Sequence, residues 1–139
     1  MQKNDKTLGF TLVEIIVVIS LITVLATLAF IAINPQKNFA DQRNATRESA
    51  INEILGAVNR YITAGNPLSE LGLVPTCPST AYIGTNAKLI NLKAELVPQY
   101  ISTIPTDPLV GTDNDSGYTI CQTTSHKITI VAPNIEIIK

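Results

Sequence analysis

Histidine is nearly missing from this sequence of 139 residues, which contains one His, two Cys, one Met and no Trp. A single histidine, His126, excludes ligation of a metal by paired histidines and leaves no second imidazole for a proton relay. The chain also lacks a Gly-x-Ser-x-Gly turn, a Gly-rich phosphate loop and a Cys-x-x-Cys pair, the usual signals of hydrolases, nucleotide-binding enzymes and redox enzymes. We therefore predict a protein that is not an enzyme, with His126 exposed at a turn.

Charge is close to balanced, with 10 Lys and Arg against 11 Asp and Glu and a net charge of -1. Proteins that bind nucleic acid through their surface normally carry a basic surplus, so direct binding of nucleic acid is not expected. A chain of this length supports one modest domain.

The longest apolar run lies near the amino terminus. From Phe10 to Ile33 the sequence has one charged residue, Glu14, and its other polar side chains are the hydroxyls of Thr11, Ser20, Thr23 and Thr27. As a helix this run would be about 36 Å long, which exceeds a hydrocarbon core of about 30 Å. Hydroxyls can donate to a carbonyl of the preceding turn, whereas a carboxylate in an apolar setting is costly unless it is paired. We therefore predict a membrane-spanning helix in which Glu14 either is solvated at the depth of the lipid headgroups without a role or has a function.

The short segment before this run carries Lys3 and Lys6 against Asp5. Positive charge before a first span favours a cytoplasmic amino terminus, which places the chain after Ile33 outside the membrane. The alternative is an ordinary secretory signal peptide, whose apolar region would be only about 7 to 15 residues long. The best cleavage site for that alternative, Thr-Leu-Ala at 27–29, is a poor one.

The sequence Gly9-Phe10-Thr11-Leu12-Val13-Glu14, between a polar leader and the apolar run, closely resembles the processing site of type IV prepilins and pseudopilins. The resemblance implies that a membrane-embedded prepilin peptidase removes the leader, residues 1–9, by cutting after Gly9, and methylates the new amino terminus of Phe10. It also implies that Glu14 serves the docking of subunits. Many relatives have Gly or Pro in the middle of the apolar run, whereas the first breaker here is Pro35.

In this family the apolar helices bundle into the core of a helical fibre. The resemblance therefore implies these partners: further copies of the chain, other pilins, the prepilin peptidase, the assembly platform in the membrane, and membrane lipid. It also implies a single-pass membrane protein with a cytoplasmic amino terminus, which later becomes part of a fibre at the cell surface. We expect Glu14 to pair with the amino group of Phe10 on a neighbouring subunit, because neither charge is tolerated alone in an apolar bundle.

A second helix is predicted from Pro35, since Pro is favoured at the first helical position and Asn34 is a suitable cap. An amphipathic helix over 34–65, ending near Gly65, is indicated by apolar residues at three- and four-residue spacing, namely Ile51, Ile54, Leu55, Val58, Tyr61 and Ile62. The first part of this helix, 36–49, is strongly polar, and we expect it to stand free of the core.

Residues 66–139 are predicted to form a small extracytoplasmic head. After a loop region, three β-rich runs at 118–122, 127–132 and 135–138 predict an antiparallel meander on the apolar face of the second helix. The predicted fold class is therefore α+β, a type IV pilin-like fold. In it a long N-terminal helix, of which residues 10–33 span the membrane or form the fibre core, packs on a small antiparallel sheet.

The two cysteines, Cys77 and Cys121, both fall in the predicted head. In an oxidising compartment a disulfide is favoured over two free thiols. Closing a loop of this length stabilises the fold by about 4 kcal/mol on the chain-entropy model, which is a large share for a small core.

Carboxylates gather near residues 107–117. Asp113 and Asp115 precede Gly117, and Asp107 lies upstream in the turn Pro105-Thr106-Asp107-Pro108. Oxygen-rich loops can bind calcium, and major pseudopilins carry a calcium in the corresponding loop. The same residues also make a good turn, and the glutamate that completes an EF-hand is missing. Calcium at Asp107, Asp113 and Asp115 is therefore one of two interpretations.

Two classes of function agree with these patterns. The first is a structural subunit of a type IV pilus-like fibre. Within this class the alternative is a pseudopilin of a type II secretion or DNA-uptake machine, which the turn at 105–108 favours. The second class is a monomeric, membrane-anchored binding domain, in which the Gly9-Phe10 junction and Glu14 would have no role.

Overall fold

A computed structural model describes residues 9–33 and 35–137 of the chain. The elements are α1 (Leu12–Ile33), α2 (Pro35–Thr63), a 3-10 turn (Leu68–Leu71), β1 (Ala81–Gly84), α3 (Lys93–Leu96), β2 (Asp115–Gln122) and β3 (Ile128–Val131). They form two compact units, Met1–Asn38 and Phe39–Lys139. The charged leader with Lys3, Asp5 and Lys6, and the predicted cap Asn34, lie outside the described residues.

The helix α1 is apolar on every side. Each large apolar residue from Leu12 to Ile31 is between 49% and 76% exposed. In the single chain, this helix therefore presents an apolar surface that no other part of the described chain covers. The helical run that starts at Leu12 is long and apolar enough to cross a membrane, with a window of mean hydropathy 2.9. The hydroxyls of Ser20, Thr23 and Thr27 each donate to the carbonyl four residues earlier, at 2.7, 2.7 and 2.8 Å. Their polar groups are thus satisfied within the helix, as the sequence predicted.

The helix α2 begins at Pro35 and ends at Thr63, close to the predicted bounds. The expectation that residues 36–49 stand free of the core is wrong, because Ala40 and Arg47 are buried. The buried positions of α2 follow one helical face: Ala40, Arg47, Ala50, Ile54, Ala57, Val58 and Tyr61. The polar composition of 36–49 suggested an exposed segment, but Arg47 is buried because it bonds carboxylates from distant parts of the chain.

The sheet has three antiparallel strands in the order β1-β2-β3. Ile120 in the central strand β2 lies opposite Ala81 of β1 on one side and Ile130 of β3 on the other. Two of the predicted strands are present as β2 and β3. The third prediction, at 135–138, is wrong over the described residues 135–137, and β1 takes its place. The four residues of β1 are too few to show a two-residue period, so the sequence did not reveal this strand.

The core of the second unit lies between α2 and the sheet. One buried apolar cluster includes Ile54 and Val58 of α2 together with Tyr118, Ile120 and Ile130 of the sheet. A long amino-terminal helix followed by a small antiparallel sheet is an α+β fold with a pilin-like layout.

A disulfide joins the loop before β1 to the central strand. Cys77 and Cys121 are bonded, with their Cα atoms 5.3 Å apart and a sequence separation of 44. The bond predicted from the cysteine count is therefore present, and it ties the loop region to β2.

Candidate functional site

The start of α1 is closed by reciprocal hydrogen bonds between Thr11 and Glu14. The Thr11 N–H and the Thr11 hydroxyl donate to Glu14 Oε2, at 3.0 and 3.1 Å. In return, the Glu14 N–H donates to Thr11 Oγ1 at 3.3 Å. This arrangement is a capping box, in which the residue before the helix and the third helical residue satisfy each other's N–H groups.

The capping box gives Glu14 a partner inside its own chain. From the sequence, a partner for this carboxylate was predicted only in a neighbouring subunit, and no bond between Thr11 and Glu14 was predicted. The signal was present in the spacing Thr11-x-x-Glu14, which is typical of a helix start. In the single chain, then, Glu14 is held at the first turn of α1, and any pairing with another subunit has to compete with Thr11.

Gly9 and Phe10 lie before the first turn of α1, in a segment without helix or strand. Apart from Gly9 itself and its two chain neighbours, no described residue has an atom within 4 Å of the position that a Cβ at Gly9 would occupy, and Phe10 is 82% exposed. Proteolytic enzymes act on accessible, irregular backbone. The peptide bond after Gly9 therefore lies in exposed backbone without regular structure.

A second cluster of polar groups surrounds Arg47 of α2. The Arg47 guanidinium donates from Nε and Nη2 to the two oxygens of Asp107, at 2.7 and 3.3 Å. Its Nη1 donates to Glu136 at 3.0 Å and to the side-chain oxygen of Asn44 at 2.9 Å. Arg47 and Asp107 are both buried. Such a pair is stable only when the remaining polar atoms are also hydrogen-bonded, as they are here.

Glu136 fastens the carboxyl-terminal segment, residues 135–137, to α2. Its carboxylate accepts from Arg43 Nε at 2.7 Å in addition to Arg47. The side chain of Asn44 bonds both backbone groups of Glu136, donating to its carbonyl at 2.8 Å and accepting from its N–H at 3.1 Å. These backbone groups are therefore paired with a side chain of α2, which explains why the segment is not the strand that its sequence suggested.

The two carboxyl groups of this cluster both have a lowered pKa. Hydrogen bonds from Arg43 and then Arg47 lower the pKa of Glu136 to about 2. Burial by itself raises the pKa of Asp107, but the hydrogen bonds from Arg47 and from the N–H groups of Leu109 and Val110 outweigh it and hold this pKa below its usual value. Both groups are therefore ionised at neutral pH and balance the charges of Arg43 and Arg47.

Two glycines let the loop close around Asp107. A Cβ at Gly111 would lie 2.4 Å from the Asp107 backbone nitrogen. Because this distance is a steric clash, only glycine fits at position 111. Gly117 has a φ of 78°, and a Cβ there would lie 2.8 Å from the Asp107 Cβ. The turn at 108–110, which lies later in sequence than the predicted turn at 105–108, thus closes tightly behind Asp107, whose carboxylate bonds Arg47.

The structure does not gather Asp107, Asp113 and Asp115 around one point. Asp107 is committed to Arg47, Asp113 is exposed, and Asp115 accepts from the Gly117 N–H at 2.9 Å. Within residues 9–33 and 35–137, no group of three or more His, Cys, Asp or Glu side chains is arranged to hold a metal ion. Calcium binding by Asp113 and Asp115 stays a prediction, without the side chain of Asp107 as a ligand.

His126, the single histidine, lies in the exposed turn between β2 and β3, with a φ of 62°. Asn, Asp and His are the non-glycine residues most often found in this backbone region. Its position agrees with the prediction of a solvated turn residue.

Comparison with known families identifies the amino-terminal part of the chain. Residues 5–30 match the model of the prokaryotic N-terminal methylation motif. None of the curated proteins and none of the solved structures matches the chain. The matched range includes the capping box and most of α1. The chain therefore carries the signature of type IV pilins and pseudopilins, which are structural subunits processed by a prepilin peptidase.

Proposed function

We propose that this chain is a structural subunit of a type IV pilus-like helical fibre, assembled through its apolar helix α1. The observation that carries the proposal is the methylation motif at residues 5–30, which includes most of an apolar helix exposed on all sides. Before assembly the chain is a single-pass membrane protein with its amino end in the cytoplasm, and after assembly it belongs to a fibre at the cell surface. Its partners are copies of itself, other pilins, the prepilin peptidase, the assembly platform and membrane lipid.

Glu14 and Phe10 are the proposed assembly pair. Cleavage after Gly9 creates an amino group on Phe10 that stays cationic after methylation. Neither this cation nor the Glu14 carboxylate is tolerated alone in an apolar bundle, because an unpaired buried charge is strongly destabilising. Pairing between neighbouring subunits would also favour one axial stagger of the α1 helices, whose other side chains are mostly uncharged and apolar.

Mass spectrometry of the membrane-extracted protein tests the processing step. We expect a chain that begins at Phe10 and carries one N-methyl group. An intact amino terminus at Met1 in cells with an active prepilin peptidase, or a chain that begins at Phe30, would contradict the proposal. A bulky residue at Gly9 should block the cut.

Glu14→Val tests the assembly step. With the variant as the sole copy in the cell, we expect normal insertion and cleavage but no incorporation into fibres, whereas Glu14→Asp should be partly defective. If Glu14→Val subunits entered fibres as well as the unaltered protein, the charge-pair mechanism would be wrong.

A pseudopilin of a type II secretion or DNA-uptake machine is the second candidate. The turn Pro105-Thr106-Asp107-Pro108, which resembles a turn of major pseudopilins, supports it. Both candidates share the processing and the helix bundle, so the discriminating observation is the phenotype. Deletion of the gene should abolish surface fibres if the first candidate is right, and the release of secreted proteins or the uptake of DNA if the second is right.

A further inference from the structure

A leucine side chain projects from the head at a tight turn. Leu73 is 94% exposed, although Leu71 is buried and Val74 packs against the core. The Val74 N–H donates to the Gly72 carbonyl at 3.0 Å, which closes a three-residue turn around Leu73. The turn is therefore held on both sides, and it points Leu73 away from its own core. Because single exposed apolar side chains are common, a role for Leu73 depends on a surface that can receive it.

A cavity of about 170 Å³ opens on the same head. Its apolar lining includes Ile83 of β1, Leu92 before α3, and Ile104, while its exposed lining residues include Lys93 and Asp113. A protein cavity of about 150 Å³ can hold benzene, which is similar in size to a leucine side chain. Among the described residues that line this cavity none is aromatic, so no ring is present on which a nucleic-acid base could stack. The cavity therefore suits one aliphatic side chain.

Leu73 and the cavity belong to different surfaces of the head. The helix α3 lies between them, because Lys93 lines the cavity, whereas Ala94 and Glu95 line an open groove beside Leu73. Leu73 itself does not line the cavity. When two different surfaces of identical copies meet, the contact can repeat along an open helix, whereas a self-complementary surface gives a closed pair. A projecting residue and a separate cavity are thus the combination that a helical fibre can use.

We propose that the Leu73 side chain of one copy inserts into the cavity of a second copy of the chain in the fibre. The proposal rests on the fibre function proposed above and names one contact between neighbouring heads. Insertion removes Leu73 from water and fills the cavity, and both changes are favourable. The charges agree with this pairing, since Lys93 at the cavity can face Glu95 beside the inserted leucine, and Asp113 can face Lys88.

Cysteine cross-linking in fibres tests the contact directly. One chain carries Leu73→Cys and a second, differently tagged chain carries Thr103→Cys, since Thr103 is exposed and lines the cavity. The control pair replaces Thr103→Cys by Ser125→Cys, because Ser125 is also exposed but lies in the turn between β2 and β3 and does not line the cavity. We expect the mixed dimer to exceed that of the control pair by about tenfold or more, because a fixed contact raises the effective concentration of the two thiols.

Substitutions on both surfaces give a second readout in the full chain. Leu73→Asp should be cleaved, should form the native disulfide and should keep its melting temperature, because Leu73 is almost fully exposed in its own head. Its fibre-borne fraction should fall by about tenfold or more, since a buried leucine side chain is lost from the contact. Leu73→Met, the matched control, should assemble like the unaltered protein.

Thr103→Trp, which places a bulky ring at the cavity, should lower the fibre-borne fraction to a similar extent. The double variant Leu73→Asp/Thr103→Trp should be no worse than either single variant, because both substitutions remove the same contact.

The outcomes separate this proposal from the function on which it rests. Failure of the unaltered protein to be cleaved or to form fibres would overturn both. Normal fibres from Leu73→Asp, or cross-linking no greater than in the control pair, would overturn the insertion alone. A preferred disulfide between two Leu73→Cys chains would show that the two turns meet each other, and losses that multiply in the double variant would show two separate contacts. Each of these results would also overturn the insertion.

Discussion

Replacing Arg47 by methionine removes the cation at the centre of the head. Methionine keeps most of the length of the side chain, so the aliphatic stem of position 47 stays packed. Asp107 keeps the N–H groups of Leu109 and Val110 but loses the guanidinium that bonds both of its oxygens. Glu136 keeps only Arg43 as a charged partner. The perturbation therefore leaves the Asp107 carboxylate buried without a counter-charge.

The expected cost follows from that burial. Arg47 and Asp107 are 1% and 2% exposed. Removing one partner of such a buried pair costs roughly 3 to 5 kcal/mol, because the remaining charge is desolvated without compensation. Domains of this size have a total stability of about 5 to 15 kcal/mol, so Arg47→Met should be close to unfolded at elevated temperature.

Denaturant unfolding of the detergent-solubilised full chain, with its disulfide intact, measures this cost. The matched control is Arg43→Met, which removes a partly exposed guanidinium from the same helix face and should cost much less. The double variant Arg47→Met/Asp107→Leu should recover part of the loss, since it removes both buried charges. If Arg47→Met lost no more stability than Arg43→Met, the buried pair would not be the anchor of the head.

Three further predictions follow from the site. Thr11→Val should speed amide exchange in the first turn of α1 by about fivefold, because a lost cap costs about 1 kcal/mol. Thr11→Ser keeps the hydroxyl and should leave the exchange rate unchanged. Equal exchange rates in the two variants would contradict the capping box. Because folding lowers the pKa of Glu136 from 4.5 to about 2, its contribution to stability is complete above about pH 4.5 and is lost as the pH falls towards 2. Glu136→Gln should flatten that part of the stability curve, and an unchanged pH dependence would argue against the contacts with Arg43 and Arg47. Millimolar calcium should raise the melting temperature of the solubilised chain if Asp113 and Asp115 bind it, and an unchanged temperature would end that proposal.

Local sequence patterns predicted the two helices and the processing motif well. An uninterrupted apolar run predicts α1. The start of α2 is predicted by a proline at the first helical position, where proline is favoured. The central and third strands were visible as β-rich runs with a turn between them. In each case the determining residues lie within a few positions of each other, so that composition and spacing carry the information.

The Arg47 cluster could not be predicted in the same way. Asp107 lies 60 residues from Arg47 in sequence and Glu136 lies 89 residues away, and no spacing rule connects such residues. In the sequence, Arg47 is one of many polar residues in 36–49. Asp107 lies in a predicted turn whose carboxylates suggested a metal site. Only the tertiary fold shows that each is the other's partner. The capping box differs from the Arg47 cluster in this respect, because the spacing of Thr11 and Glu14 was sufficient to predict it.

The cluster also connects the stability of the head to the shape of its surface. Arg47 binds the loop at Asp107 and the segment at Glu136, so one side chain fixes both to α2. If the proposed fibre uses the surface that these two segments form, Arg47→Met should impair fibre assembly even under conditions in which the head remains folded, because one side chain would no longer hold both segments on α2. Arg43→Met leaves Arg47 bound to both carboxylates and should assemble normally. A folded Arg47→Met head that still assembled as well as Arg43→Met would show that fibre assembly does not depend on the bonds of Arg47 to Asp107 and Glu136.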